Sequence, residues 1–475
     1  MTDADDQIKI SLFDEHAHAY QFLSFLFSFT QNPDQALYTV ELGRARALAD
    51  LMSAQYSLPK QISQNPQTWM GIESIMENER KCTCLYISYA FHLILLWIIK
   101  SDEPIRLRAI EVNTCFIDKV FVRYVDEMFG TEIVRQCHTL SPEQCEDRSW
   151  FSSNTKEDSL AAARLAEEDE VKNQQPIPTL SECYNMIIAP VAEFLDEAEI
   201  IIVPDRYFFK VPFAALQDEN GKYLSESFKI RIVPSLTALK LIHDSPSDYH
   251  SQTGVLIVGD PDVGVVLYRG DVYKPPRLPF AEMEAEMIAQ LLGAKALVGK
   301  QATKRAVLQS IESTSLIHFA AHGNAERGEI ALAPPPLVER KPQYPSGQGE
   351  KRTPNEEDYL LTMADISQVR LRAKLVVLSC CHSARGQIKA EGAVGIARAF
   401  LGSGARSVLV ALWAIEDKAT KQLMSRFYEH LVHGESASES LHQAMKWMRE
   451  NGFSDVGQWA PFMLIGDDVS FDFQN

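Results

Sequence analysis

The chain has 475 residues, 46% of them hydrophobic and 23% charged, which is enough for a large buried core and roughly two to four domains. Its formal net charge is −18 at pH 7. That charge argues against binding to nucleic acid or to an anionic membrane surface, because both attract proteins through a basic face.

The eight cysteines have no spacing typical of a disulfide framework, and the acidic residues 1–6 lack the apolar core of a signal peptide. We therefore expect a reduced, cytoplasmic setting. The longest apolar stretch, residues 85–99, is interrupted by polar side chains and is shorter than the roughly 20 residues that a membrane helix needs. Cys82 and Cys84 lack a second ligand pair at zinc spacing, and residues 293–300 lack the spacing of a phosphate-binding loop, so no metal and no cofactor are expected.

Residues 14–58 are predicted to be helical, because apolar residues between Pro33 and Met52 recur at helical spacing. One helix pair cannot bury a core alone, so this segment is expected to pack on the next domain or to end a longer repeat array. In residues 69–112, three β-rich runs predict an antiparallel meander, with a turn signal at Lys100–Pro104 between the last two.

The segment 141–175 is polar and rich in acidic residues. This composition predicts a solvated loop or a mobile helix, with an acidic docking tract as the alternative. Order is expected to return with a helix over residues 180–195, a strand over 199–205 and a short hairpin near 211–216.

From residue 254 onward, short apolar runs alternate with helical patterns, which predicts βαβ units and a parallel sheet. The predicted strands cover residues 255–259, 296–298, 316–320, 375–379 and 407–412. The predicted helices cover residues 281–292, 304–312, 392–402, 418–432 and 436–449. A proline-rich insertion at 333–358 is expected to form a surface loop between the third and fourth of these strands.

Two of these strands end in residues that can perform covalent chemistry. The third predicted strand is followed by His322 and Gly323, and the fourth by Cys380 and Cys381. Because the carboxyl ends of parallel strands share one edge of a sheet, an imidazole and a thiol are expected to meet there. Gly323 permits close backbone approach, and the small polar residues after Cys381 would offer N–H groups to an oxyanion. Strand alternation points neighbouring side chains in opposite directions without deciding which of them faces the site.

The segments His318–Gly323 and Val376–Gly386 resemble the two signature blocks of CHAT proteases, which are caspase-like peptidases often found behind tetratricopeptide repeats. The helical residues 14–58 are similar to the last repeat-like hairpin before such domains, as in TPR–CHAT proteins of the metazoan type. The resemblance runs from about residue 69 to residue 466, and its further motifs lie at 202–216, 233–235, 259–261, 391–417 and 459–466.

The resemblance implies an α/β caspase–haemoglobinase fold, in which helices flank a sheet that is mostly parallel. It divides the chain into a TPR-like helical segment over residues 1–68, an inactive caspase-like half over 69–250 and an active half over 251–475. The acidic tract and the proline-rich loop would then be insertions in the first and second halves.

The same resemblance assigns roles at the candidate site. It makes His322 the general base, Cys381 the nucleophile, and the N–H groups of Gly323 and Cys381 the oxyanion donors. Cys380 stands where many relatives have alanine, so it stays a second candidate for the nucleophile.

Specificity is suggested by separase, another member of the clan, which binds a basic residue before the scissile bond (P1) through an acid in a stretch similar to Leu412–Asp417. By this resemblance Asp417, with Glu416 or Asp260, would form a pocket for arginine or lysine. Two alternatives stay open. Asp417 would serve as the cap of the following helix, and Arg385, near the nucleophile, would favour an acidic P1 residue.

These patterns together predict a cytoplasmic cysteine endopeptidase that performs limited proteolysis on protein substrates. A regulatory partner is expected to bind through the N-terminal helical segment, and no nucleic acid or membrane is expected as a partner. The alternative is a catalytically idle CHAT module that acts as a scaffold for protein interactions.

Overall fold

The computed structural model describes residues 3–30, 32–58, 71–111, 148, 179–324, 328–335, 353–380, 387–389, 392–413 and 417–473. The α-helices are α1 (Asp3–Ser28), α2 (Pro33–Leu42), α3 (Arg46–Gln55), α4 (Gly71–Asn78), α5 (Leu180–Ile187), α6 (Leu224–Ser227), α7 (Leu236–His243), α8 (Pro279–Leu291), α9 (Lys304–Ser310), α10 (Glu356–Tyr359), α11 (Met363–Ser367), α12 (Ile396–Gly402), α13 (Asp417–Val432), α14 (Ala437–Glu450) and α15 (Val456–Trp459). Short 3₁₀ helices cover Ala189–Phe194, Arg206–Lys210, Phe213–Ala215 and Ile311–Ser313.

The strands are β1 (Cys82–Ala90), β2 (Leu93–Ile99), β3 (Arg106–Glu111), β4 (Glu199–Val203), β5 (Lys229–Ile232), β6 (Val255–Pro261), β7 (Val266–Tyr268), β8 (Asp271–Tyr273), β9 (Ala296–Gly299), β10 (Leu316–Ala320), β11 (Gly323–Asn324), β12 (Glu329–Ala331), β13 (Leu360–Leu361), β14 (Leu375–Leu378), β15 (Gln387–Lys389), β16 (Gly392–Val394), β17 (Ser407–Ala411) and β18 (Phe462–Gly466).

A single large sheet organises the described residues. Its eleven strands run in the order β3-β2-β1-β4-β5-β18-β17-β14-β10-β6-β9. The strands predicted from residue 254 onward are confirmed to within two residues, and the neighbours from β17 to β9 pair in parallel. Every residue of β10, β14 and β17 is buried, because packing covers both faces of the sheet at its centre. The predicted meander is also confirmed, since β1, β2 and β3 pair antiparallel in sequence order.

Strand β18 joins the two groups of parallel strands into one sheet. It pairs antiparallel with β17 and parallel with β5, where Ile465 lies opposite Ile232. The sequence pattern had not identified this strand. Strands β1 to β5 come from the part of the chain before residue 250, and the division into an inactive and an active half at that point stays a prediction.

The N-terminal helices pack on the sheet domain, as expected, but they number three in the described residues. The periodic run from Pro33 to Met52 breaks at Gly43, where a Cβ atom would lie 2.8 Å from the ring-bearing carbon of Tyr20 on α1, and Ala45 adopts a left-handed conformation with φ of 48°. Helix α3 then packs against α7 and α12, and the guanidinium of Arg44 donates to main-chain carbonyls at the end of β4 and in β1.

Two further predictions are wrong in detail. The residues near 211–216 form a 3₁₀ turn over Phe213–Ala215 instead of a hairpin, because Pro212 has no N–H group for a strand ladder. The helix predicted from Gly392 begins only at Ile396, and residues 392–394 pair with residues 387–389 as a two-stranded ribbon. The acidic tract 141–175, apart from Arg148, and most of the loop 333–358 lie outside the described residues.

A buried ionic cluster connects the residue after β18, the last strand in the chain, with residues before β1, on β4 and on β5. Arg231 on β5 is 1% exposed and contacts the carboxylates of Glu199 (2.5 Å), Glu79 (2.7 Å) and Asp467 (3.4 Å). The Nε2 atom of His243 lies 3.2 Å from Glu79 and 3.6 Å from Asp467. Burial alone would lower the pKa of His243, but hydrogen bonds and charge from these two carboxylates raise it to about 9.

We predict that this cluster makes the free energy of unfolding fall as the pH rises. The unfolded pKa of histidine is about 6.5, so the stabilisation by protonated His243 is complete below that pH and is lost as the pH rises through 9. Urea titrations at pH 6.5 and 9.5 should show a loss of about 1–3 kcal/mol in the free energy of unfolding. His243→Gln should flatten this difference, whereas His433→Gln, at an exposed position, should keep it. An equal pH dependence in wild type and His243→Gln would contradict the prediction.

Candidate active site

The two chemistry-bearing strand ends meet at one edge of the sheet. Strands β10 and β14 pair in parallel from Leu316–Leu375 to Phe319–Leu378. Beyond the ladder, the N–H of Ser379 donates to the carbonyl of Phe319 at 2.8 Å. A Cβ atom at Gly323 would lie 3.0 Å from the Cβ of Cys380, so glycine is what permits this close approach of the two ends.

The His322 side chain is held in place by a backbone carbonyl. The residue is 2% exposed and lies between β10 and β11, and its Nε2 atom is 3.0 Å from the carbonyl oxygen of Pro276. Because a carbonyl only accepts, Nε2 carries the proton in this contact. In the neutral ring, Nδ1 is therefore the nitrogen with the basic lone pair. The main chain is fixed too, since the N–H of Ala331 donates to the carbonyl of His322 at 2.9 Å.

The predicted oxyanion donor Gly323 already binds a peptide carbonyl. Its N–H donates to the carbonyl oxygen of Arg148 at 2.9 Å. The other predicted donor and nucleophile, Cys381, lies outside the described residues. Its role therefore stays a prediction, although its neighbour Cys380 is well described.

The neighbouring residues Cys380 and His318 are both buried and contact other protein groups. Cys380 is 3% exposed, and its Sγ lies 3.7 Å from the carbonyl of Phe319. Burial raises the pKa of Cys380 to about 12, despite the opposing charge of Arg148, so the thiol stays protonated at neutral pH. The side chain of His318 is fully buried, with Nδ1 3.1 Å from the hydroxyl of Tyr428.

A buried guanidinium reaches the same edge of the sheet. Arg148 donates to the main-chain carbonyl of Ser379 at 2.8 Å and to its Oγ at 2.9 Å, and it forms an ion pair of 2.9 Å with Glu284 on α8. The other carboxylate oxygen of Glu284 lies 3.1 Å from Nε2 of His318. Burial alone would raise the pKa of Glu284, but Arg148, His318 and Ser379 lower it to about 2, so the carboxylate is ionised.

The predicted specificity residues divide into described and undescribed positions. Asp260 is 1% exposed with φ of 41°, and its carboxylate binds Arg277 (2.7 Å) and the N–H of Leu278 (2.8 Å) in the loop that also supplies the carbonyl for His322. Asp417 is 2% exposed and is the first residue of α13. Glu416 and Arg385 lie outside the described residues.

The sequence reasoning missed Arg148 and Glu284. Glu284 carried a detectable signal, because it shares a helix face with the buried residues Ala281, Ala285 and Ile288, where a carboxylate needs a partner. Arg148 carried none, since it stands in a polar tract whose composition predicts solvation.

Comparison with known proteins gives a family for this arrangement. The CHAT domain family matches residues 178–467. The chain belongs to the CHAT domain family. Tetratricopeptide repeat protein 28 of Mus musculus is 27% identical over 563 residues, covering 98% of this chain and 23% of that protein. The Homo sapiens protein of the same name is 26% identical over 562 residues, covering 98% of this chain and 22% of that protein. This chain therefore spans less than a quarter of the relatives' length.

Among solved structures, separase in the Saccharomyces cerevisiae separase–securin complex is similar, with a TM-score of 0.55 and 12% identity over 96% of this chain and 36% of the other. This likeness shows the caspase-like fold and, at such low identity, the fold alone. The chain thus has the mostly parallel sheet, flanking helices and helical N-terminal segment that the sequence predicted. Within the described residues, no helix has both the length and the apolar character to cross a membrane.

We predict that Cys380 is unreactive in the native protein. With a pKa near 12, its thiolate fraction at pH 8 is about a thousandfold below that of an ordinary exposed thiol. The measurement is iodoacetamide modification of Cys381→Ala protein, read on the peptide of residues 375–385, in which Cys380 is then the sole cysteine. Modification should require urea. Native modification at the rate of a free thiol would contradict the burial of this side chain.

Proposed function

We propose that this CHAT domain is a cysteine endopeptidase that uses His322 as general base and Cys381 as nucleophile on protein substrates. The observation that supports it best is the meeting of the two strand ends, where Gly323 packs directly on Cys380, the residue before the proposed nucleophile. The hydrogen bond from His322 to the carbonyl of Pro276 also favours the neutral tautomer in which Nδ1 is the basic nitrogen.

The proposed reaction follows from these positions. Nδ1 of His322 takes the proton of the Cys381 thiol, and the thiolate attacks the carbonyl carbon of the scissile peptide bond. The N–H of Gly323 stabilises the oxyanion of the tetrahedral intermediate, a contribution of about 3–4 kcal/mol per donor where oxyanion holes have been studied by mutation. The protonated imidazole gives its proton to the leaving amine, and a water molecule then hydrolyses the thioester.

A basic P1 residue is part of this proposal. Two buried acids are candidates for binding it: Asp417, the first residue of α13, and Glu284, which already binds a guanidinium beside Ser379. Asp260 contributes indirectly, because its carboxylate binds the loop of Arg277 and Leu278, next to Pro276. Cleavage after arginine or lysine, with limited proteolysis as the outcome, is the specificity that this charge favours.

The N-terminal helical segment is proposed to bind a regulatory partner built of helical repeats. Helix α1 exposes several large apolar side chains, which are Ile8, Leu12, Phe22, Leu23 and Leu26, each 44–66% exposed. The relatives that span this chain are named for tetratricopeptide repeats, and such repeats bury their apolar faces by stacking on helical neighbours.

The proposed pairing of His322 with Cys381 predicts how an irreversible, thiol-directed peptide inhibitor will react. Wild type should be labelled at Cys381, Cys381→Ala should lose the label, and His322→Ala should react about 10²–10⁴ times more slowly. Cys380→Ala is the matched control and should react like wild type, because it changes the neighbouring thiol only. The readout is intact mass against time with peptide mapping. Labelling of Cys381 no faster than that of other thiols, and independent of His322, would instead favour the idle scaffold.

The specificity pocket predicts an effect of Asp417→Asn that separates substrate binding from helix capping. The ratio of kcat/KM for an arginyl substrate to that for the matching glutaminyl substrate should fall about tenfold or more, since a buried charge pair is lost. Asp455→Asn, which removes a helix-capping acid on α15, should leave the ratio unchanged. If Asp417 acts only as a cap, both variants will keep the ratio, because asparagine caps a helix about as well as aspartate.

A further inference from the structure

Arg148 contacts the candidate site through both its main chain and its side chain. Its carbonyl oxygen accepts the N–H of Gly323 at 2.9 Å, the group proposed to hold the oxyanion. Its guanidinium extends to Ser379, two positions before Cys381 in the chain, and to Glu284. A bound P1 residue makes this same pair of contacts, with its carbonyl at the oxyanion donor and its side chain in the specificity pocket.

The pocket around this side chain is built for a planar cation. The Glu284 side chain is 0% exposed and that of Arg148 is 5% exposed, so the two charges face each other without solvent. One terminal nitrogen of the guanidinium binds the carboxylate, and the other binds both oxygens of Ser379. Arginine's fixed fork of donors suits such a divided set of acceptors, whereas a neutral side chain would leave the carboxylate unpaired.

We infer that Arg148 is an internal pseudosubstrate, which occupies an arginine-specific pocket formed by Glu284 and Ser379 and competes there with arginyl substrates. This inference rests on the proposed function for its consequence, namely that the intact chain inhibits itself. It adds Glu284 as a specificity residue and names arginine as the side chain that the pocket binds. The competitor belongs to the same chain. The apparent affinity for any external arginyl peptide is therefore the intrinsic affinity multiplied by the fraction of pockets that Arg148 leaves open.

Peptide binding tests the occupancy without requiring catalysis. The probe is a fluorescein-labelled peptide with the sequence of residues 143–150, carrying serine in place of Cys145. It should bind Arg148→Ala protein at least about tenfold more tightly than wild type, measured by anisotropy in a Cys381→Ala background. A peptide with glutamine in place of the arginine should bind at least about tenfold more weakly. Equal affinity of the arginyl probe for wild type and Arg148→Ala would overturn the inference.

Two variants separate a pocket from a general loss of structure. Arg398→Ala removes another buried arginine, which binds Asp6 at 2.7 and 3.1 Å, while Arg148 stays in place, so its probe affinity should match wild type. Arg148→Ala combined with Glu284→Gln removes both charges of the pair, so neither of the two is left without the other. This double variant should fold, as judged by circular dichroism, and its preference for the arginyl over the glutaminyl probe should be at least about tenfold smaller than that of Arg148→Ala. An undiminished preference for arginine in the double variant would overturn the role of Glu284.

Covalent labelling connects the pocket to the proposed catalysis and keeps the two failures distinct. An arginyl peptide electrophile should label Cys381 at least about tenfold faster in Arg148→Ala than in wild type. If the probe peptide binds as described but Cys381 does not react, the endopeptidase proposal fails and the pocket stands. If Cys381 reacts equally fast in both proteins and the probe does not distinguish them, the pseudosubstrate fails and the endopeptidase proposal stands.

Discussion

The parallel pairing of β10 with β14 is the constraint on which the candidate site depends. Because the two strands run in the same direction and in register, both end at the same edge, and the residues after them have to share a small volume. Gly323 and Cys380 fill that volume in direct contact. The strands themselves are buried on both faces, so a change in register would disrupt side-chain packing along their whole length. The site therefore inherits its geometry from a fully buried part of the sheet.

Two buried arginines show how this fold uses charge inside the sheet domain. Arg231 binds three carboxylates, one on β4, one directly after α4 and one directly after β18, which offsets the cost of burying it and links distant parts of the sheet. Arg148 pairs with the carboxylate of Glu284 and also contacts Ser379 at the candidate edge. Arg231 is carried by a strand within the sheet, whereas Arg148 comes from the tract before α5. The first contact holds the fold together, and the second is the kind that a competing ligand would replace.

The accuracy of the sequence prediction follows from how local each signal is. Fully buried parallel strands are continuous apolar runs, so their positions could be predicted within two residues, and the family blocks identified the strand ends. The break at Gly43 could not be predicted, because it depends on the close approach of Tyr20 from another helix. The ion pair of Arg148 with Glu284 joins residues 136 positions apart in the chain. It could not be predicted from composition, because composition describes the average character of a tract and not the contact of one residue in it.

Specificity and self-inhibition become one interaction if Glu284 forms the pocket. Its pKa of about 2 means that the carboxylate stays ionised at neutral pH, and a buried charge without a counter-ion is strongly destabilising. Arg148 can therefore leave at low cost only when another cation enters. An arginyl substrate supplies that cation, so the exchange is nearly balanced in charge, whereas a neutral P1 residue would leave Glu284 beside His318 alone. Glu284 would thus keep Arg148 bound in the presence of peptides with a neutral P1 residue and exchange it for the P1 side chain of basic ones. The strength of inhibition would then depend on the charge of the P1 residue.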